Sequence, residues 1–144
     1  MHFKKTKFMK KLILFITLSI YSFVQSQENS DIVQYSASTY TAILYNSNNE
    51  IVNQKIVGKN VKIYFDKIFK SYIVEFENED NNMTKYKFIF IRNLGADVMQ
   101  METHQGESVK IIDKLSDGGL IIINDRFDDG TWLSYITSRA TKIN

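Results

Sequence analysis

The chain has 144 residues, no cysteine, no proline, 13% aromatic side chains, and 18 basic against 16 acidic residues. The lack of cysteine excludes disulfides, thiol catalysis, cysteine-ligated zinc and lipid attachment to cysteine. The formal net charge of +2 gives no warrant for nucleic-acid binding, because the excess of basic residues comes from the first 26 positions.

Five lysines (Lys4, Lys5, Lys7, Lys10 and Lys11) run into the apolar segment Leu12 to Val24. That order reads as a secretory signal peptide over 1–26, with Val24 and Ser26 small enough for a peptidase cut that leaves Gln27 as the new N-terminus. The rival reading, a membrane anchor, needs roughly 20 apolar residues, and Leu12 to Val24 supplies 13. Cleavage removes five of the 18 basic residues and none of the 16 acidic ones, so the exported chain 27–144 would carry 13 against 16, a net charge of −3. The expectation is a secreted, periplasmic or cell-envelope protein with no stable membrane span after cleavage and no nucleic-acid partner. At 118 residues, 27–144 fits a single domain.

Residues 27–36 read as a mobile lead-in, and a helix is one reading of Ser30 to Thr41, although Ser, Thr and Tyr are frequent there. Beyond it the chain carries sheet-forming residues at period two. Val61, Ile63 and Phe65 share one face and Lys62, Tyr64 and Asp66 the other. Lys70, Tyr72, Val74 and Phe76 alternate with Ser71, Ile73, Glu75 and Glu77, and Tyr86, Phe88 and Phe90 alternate with Lys85, Lys87, Ile89 and Ile91. The last two segments should pair through the polar turn 78–82. Further strands are expected near 39–45, 50–57, 97–103, 107–115, 119–124 and 131–137. Glycines from Gly95 onward recur every 11 or 12 residues, a spacing that fits short strands joined by tight turns. The continuous apolar run Leu120 to Ile123 suits a strand covered on both faces. The fold class is therefore all-β, an antiparallel meander of eight or nine short strands forming a small barrel or a two-sheet sandwich. Lysines alternating along 61–70 and 85–87 would discourage edge-to-edge aggregation.

Candidate sites were weighed in chain order. Glu75 and Glu77 share a strand face but lead into Glu79 and Asp80, which reads as a solvated acidic strand end rather than a glycosidase pair. Asn82-Met83-Thr84 matches a glycosylation acceptor, a tripeptide common by chance. Met99 and Met101 lie on one face as adaptable core packing. Glu102 and His104, two apart on a strand, could share one metal ion if a third ligand came from elsewhere. Gly118-Gly119 opens an apolar strand, whereas phosphate-binding glycine motifs open a helix. Asp125, Asp128 and Asp129 before Gly130 lack the ligand spacing of a calcium loop, and Asp129-Gly130 reads as a turn. Tyr40, Tyr45, Tyr64, Tyr72, Tyr86 and Tyr135 could line a groove for a ligand, against the alternative that they fill the core and form cross-strand pairs. Trp132 reads as a core plug.

No catalytic, metal or cofactor-binding residue is assigned on this basis, and no cofactor is expected. The leading functional expectation is non-catalytic binding of a protein, a glycan or a small apolar ligand held inside a barrel. The alternatives are a metal-assisted hydrolase using Glu102 and His104, and a structural or assembly component of the cell envelope that recruits partners by strand addition.

Overall fold

A computed structural model describes residues 31–143; the expected signal peptide and residues 27–30 lie outside them. Nine strands follow in chain order: β1 Ile32–Tyr45, β2 Ile51–Asp66, β3 Ser71–Glu77, β4 Met83–Gly95, β5 Val98–Thr103, β6 Ser108–Asp113, β7 Leu120–Asn124, β8 Trp132–Thr137 and β9 Thr141–Lys142. Each strand from β2 to β8 pairs with its sequence neighbour, and β1 pairs with both β8 and β2. The eight strands thereby close into an antiparallel barrel, with β9 an extra strand on the first part of β1. Closure decides between barrel and sandwich, and it leaves every barrel strand paired on both sides. Edge protection is thus supplied by topology, while Lys62, Lys85 and Lys87 simply stand in solvent on the outer face.

The long β1 corrects two expectations at once. Ile32 to Ser36 belong to this strand rather than to a lead-in, and no helix forms over residues 31–41. The same Ser, Thr and Tyr residues that weaken a helix suit a pleated strand. The inward face of β1 shifts by one residue along its length: Tyr35 and Ala37 pack on the core, and so does Tyr40. Between them the amides of Ser38 and Thr39 donate to the Ser138 Oγ at 2.9 and 3.1 Å. β1 pairs with β9 before this point and with β8 after it.

The segments expected at 50–57 and 61–66 are one continuous strand of 16 residues. Gly58 does not end it. A Cβ there would strike the Phe76 ring, with Cγ at 2.8 Å, so the glycine serves close approach of β2 to that side chain. The register shift that does occur lies just beyond, between Lys59 and Lys62, where Asn60 takes φ 52°. The β4–β5 turn places Gly95, Ala96 and Asp97 all at positive φ (89°, 50° and 63°), the handedness that tight hairpins demand.

The period-two assignments hold: Val61, Ile63, Tyr72, Val74, Phe76 and Phe88 are buried, and Lys62, Lys85, Lys87, Ile89 and Ile91 are exposed. Met101 is fully buried and Met99 packs beside it. Inward residues meet round the barrel in register, as in Val74 with Tyr86, Phe88 with Thr103, Met101 with Val109, Ile111 with Ile122 and Ile122 with Tyr135. Leu120 and Ile122 point inward, whereas Ile121 and Ile123 are half-buried on the other face.

One half of the interior is solid. Ile63, Tyr72, Met101, Ile111 and Leu120 are at most 1% exposed, and the β6–β7 turn folds Leu115 underneath them. Within it the Tyr72 hydroxyl donates to Asp113 Oδ2 at 2.6 Å. Asp113 also accepts the Leu115 amide on its other oxygen at 2.9 Å. Tyr72→Phe should lower the unfolding free energy by about 2 kcal/mol, since it removes a donor to an otherwise desolvated acceptor; a urea melt reads this directly.

Candidate functional site

The other half of the barrel is open. A cavity of about 560 Å³ occupies the end where the β3–β4 and β5–β6 turns and the β7–β8 loop project. Its floor is apolar, built from Phe76, Phe88, Val109 and Ile122, with Val57 and Ala42 on the sides. Eight strands enclose just enough space to be filled by side chains or to hold one small ligand, and this barrel does the first at one end and leaves room for the second at the other.

Four rings form a continuous wall. Tyr135 stacks on Tyr40 with centroids 5.5 Å apart, Tyr40 meets Phe76 at 4.6 Å, and Phe76 stacks with Tyr86 at 6.0 Å. They come from β8, β1, β3 and β4, neighbouring inward positions on strands that closure brings together. None of the Tyr40, Tyr86 and Tyr135 hydroxyls has a hydrogen-bond partner among the described residues. Tyr40 is only 3% exposed, and among the described residues no sealed side-chain polar atom is left unsatisfied. Its hydroxyl therefore opens on the cavity. Burial, and then the neighbouring Tyr135 and Tyr86 hydroxyls, hold the Tyr40 phenol protonated well above the usual tyrosine range. Tyr135 is shifted the same way by burial, Tyr86 and Glu107.

The rim is polar and acidic. Asn78 Oδ1 accepts the amides of Asp80 and Asn82, both at 3.0 Å, and its Nδ2 donates to Thr84 Oγ1 at 3.2 Å. These contacts fix the β3–β4 turn with Glu79 and Asp80 at the mouth. Across the opening, the Thr103 amide donates to the Glu107 carbonyl at 2.8 Å, and the Glu107 amide donates to Thr103 Oγ1 at 3.1 Å. That turn presents Gln105 and Glu107. Glu79 is paired with Lys55 at 2.8 Å. No lysine, arginine or histidine lines the cavity.

The residues singled out from sequence separate cleanly. Of the six tyrosines, Tyr40, Tyr86 and Tyr135 line the cavity, Tyr72 belongs to the solid half, and Tyr45 and Tyr64 do not line it. Trp132 is not a core plug: Tyr135 and Thr137 point inward on β8, so parity turns Trp132 outward. There it stacks on Tyr45 at 3.9 Å, donates from Nε1 to Asn49 Oδ1 at 3.0 Å and lies under the Arg126 guanidinium, 5.9 Å from the ring centroid.

Glu102 lies between inward Met101 and Thr103 and so faces outward, opposite Ile89. His104 is exposed in the following turn, its amide donating to the Lys87 carbonyl at 3.2 Å. No group of three metal-competent side chains occurs among the described residues, so nothing supplies the third ligand this pair requires. Glu75 pairs with Lys62 and Lys85 across the sheet, and Glu77 with Lys59. Asp129 accepts the Thr131 amide and hydroxyl at 3.0 and 2.6 Å, bonds that hold its carboxyl below the usual range within the turn that ends at Gly130, φ 84°. Asp80 and Glu107 were not legible as site residues, because a turn carboxylate has the same local pattern whether or not it overhangs a cavity.

Scans against protein-family models, curated proteins and solved structures give no match to this chain.

Proposed function

We propose that this chain is a binding protein that holds one small, largely apolar molecule in the open end of its barrel. The observation that carries the reading is the cavity of about 560 Å³ with an apolar floor and a four-ring wall. That size lies within the roughly 300–1,000 Å³ of small-molecule sites. Enclosure and aromatic area favour an apolar body, while the free tyrosine hydroxyls supply orientation. The outer face supports an aqueous setting for the barrel: it carries Lys62, Glu75, Lys85, Lys87 and Glu102, the reverse of the apolar exterior of a membrane-embedded barrel. The proposal also assigns the barrel to the exported fraction, on the strength of the lysine-led apolar segment at the N-terminus.

The test is a fluorescence titration with N-phenyl-1-naphthylamine, a neutral probe that brightens in apolar surroundings. The wild-type chain should bind it saturably at one site. Ala42→Trp, which places an indole in the cavity, should weaken binding at least tenfold while circular dichroism and the melting transition still report a folded barrel. Absence of saturable binding, or equal binding by the folded variant, would overturn the reading.

A further inference from the structure

We infer that the ligand is a cation with an apolar body, an alkyl or aryl amine or quaternary ammonium, whose charged head rests at the rim between Asp80 and Glu107. This inference deepens the binding reading and rests on it. Three carboxylates line the opening, and among the described residues no basic side chain does. Lys55 neutralises Glu79, whereas Asp80 and Glu107 have no ion-pair partner among the described residues. An uncompensated pair of carboxylates over a low-dielectric cleft focuses negative potential into it. Glu107 also lies near enough to Tyr135 to add, after burial and Tyr86, to the upward shift of its phenol.

The wall is built for the same charge. Tyrosine faces attract cations through the ring quadrupole, most strongly where water is excluded. Tyr40 adds a second, separate observation: a hydroxyl on a side chain only 3% exposed, without a partner among the described residues and open to the cavity. Its oxygen can accept from an N–H donor or lie against a methylammonium group. An anion would instead face two carboxylates and desolvated phenols. A ligand rich in hydroxyls would find little to bond at the floor, where Phe76, Phe88, Val109 and Ile122 offer no polar side-chain atom. The cation therefore gains from Asp80, Glu107 and the tyrosine wall, and the apolar body gains from the floor.

The experiment is isothermal titration calorimetry of the whole barrel with three ligands of similar size: trimethyl(4-phenylbutyl)ammonium, 4-phenylbutanol and 4-phenylbutyrate. The ammonium should bind at least tenfold tighter than the alcohol, with the carboxylate weakest. Raising the salt from about 20 to about 500 mM should erode the ammonium's advantage several-fold, as screening of a rim charge requires. The double variant Asp80→Asn, Glu107→Gln should bring the ammonium to within about threefold of the alcohol. Equal binding of alcohol and ammonium, or a double variant that keeps the preference, would overturn the inference. If N-phenyl-1-naphthylamine binds while no preference for the cation appears, the cation assignment alone falls. If neither the probe nor any of the three binds, the binding reading falls with it.

Discussion

Gly119→Ala should cost the fold about 3 kcal/mol and lower the melting temperature by more than 10 °C. A Cβ at this position would collide with the Thr137 carbonyl oxygen, lie 2.5 Å from Thr137 Oγ1 and 2.8 Å from the Ser138 carbonyl oxygen. Two of these three atoms are backbone, so no rotamer change relieves the crowding. The neighbourhood is also fully committed: the Leu120 amide donates to Thr137 Oγ1 at 2.9 Å, the Lys114 amide to the Gly119 carbonyl at 3.1 Å, and the Ala140 amide to the Gly118 carbonyl at 2.8 Å. Relief by moving the strand end would break bonds at the junction of the β6–β7 turn with β8. Gly95→Ala is the control for glycine loss without crowding: nothing lies within 4 Å of its added Cβ, and its cost comes from φ 89° alone, about 1 kcal/mol. Calorimetric melts of both variants check the ordering; Gly119→Ala melting within 3 °C of wild type would sink the argument.

A second large effect should appear at alkaline pH. Tyr40 and Tyr72 are 3% and 1% exposed, and both phenols are held protonated far above their ordinary value, chiefly by burial, with Asp113 adding to the shift at Tyr72. The folded pKa is raised, so the stabilisation is fully present below the unfolded tyrosine value near 10 and is lost as pH rises past it. Above that pH the unfolded chain releases the Tyr40 and Tyr72 protons that the folded barrel keeps, and Tyr135, raised in the same direction, adds to the loss. Tyr40 and Tyr72 each contribute about 1.4 kcal/mol per pH unit, so the two together remove about 5 kcal/mol between pH 10 and pH 12. Urea midpoints taken at half-unit intervals should be flat from pH 8 to about 9.5 and then fall steeply. In Tyr40→Phe the slope above pH 10 should be about half as large, a difference that separates these tyrosines from general charge repulsion. An unchanged slope in that variant would sink the assignment.

What sequence could reveal here was set by parity. Alternation in 61–66, 70–76 and 85–91 identified the inward faces of three strands, and Met99 with Met101 a fourth. Parity failed where the backbone changes step: at Ser38–Thr39 in β1, where two amides bond to Ser138, and at Asn60 in β2. Gly58 falls in the gap between the segments expected at 50–57 and 61–66, and a glycine forced by a neighbouring ring has the same local pattern as one forced by a turn. Closure was illegible for a different reason. It rests on β1 meeting β8, with Tyr40 opposite Thr137 and Tyr45 opposite Trp132, and no local pattern announces a partner across the length of the chain. The site inherits that difficulty. Tyr40 and Tyr135 were visible as residues, yet their stack exists only because β1 and β8 are adjacent.

That adjacency also orders events in time. Every other seam of the barrel joins strands that follow one another in the chain, so it forms from nearby partners, whereas the β1–β8 seam joins residues 97 positions apart, Tyr40 to Thr137. Bringing such distant segments together costs about 4 kcal/mol of chain entropy in its length-dependent part alone, and the cost falls on a single step. A chain synthesised from its N-terminus holds β1 without β8 until Trp132–Thr137 have been made. The cavity, whose wall spans that seam, is accordingly complete only once β8 has paired with β1.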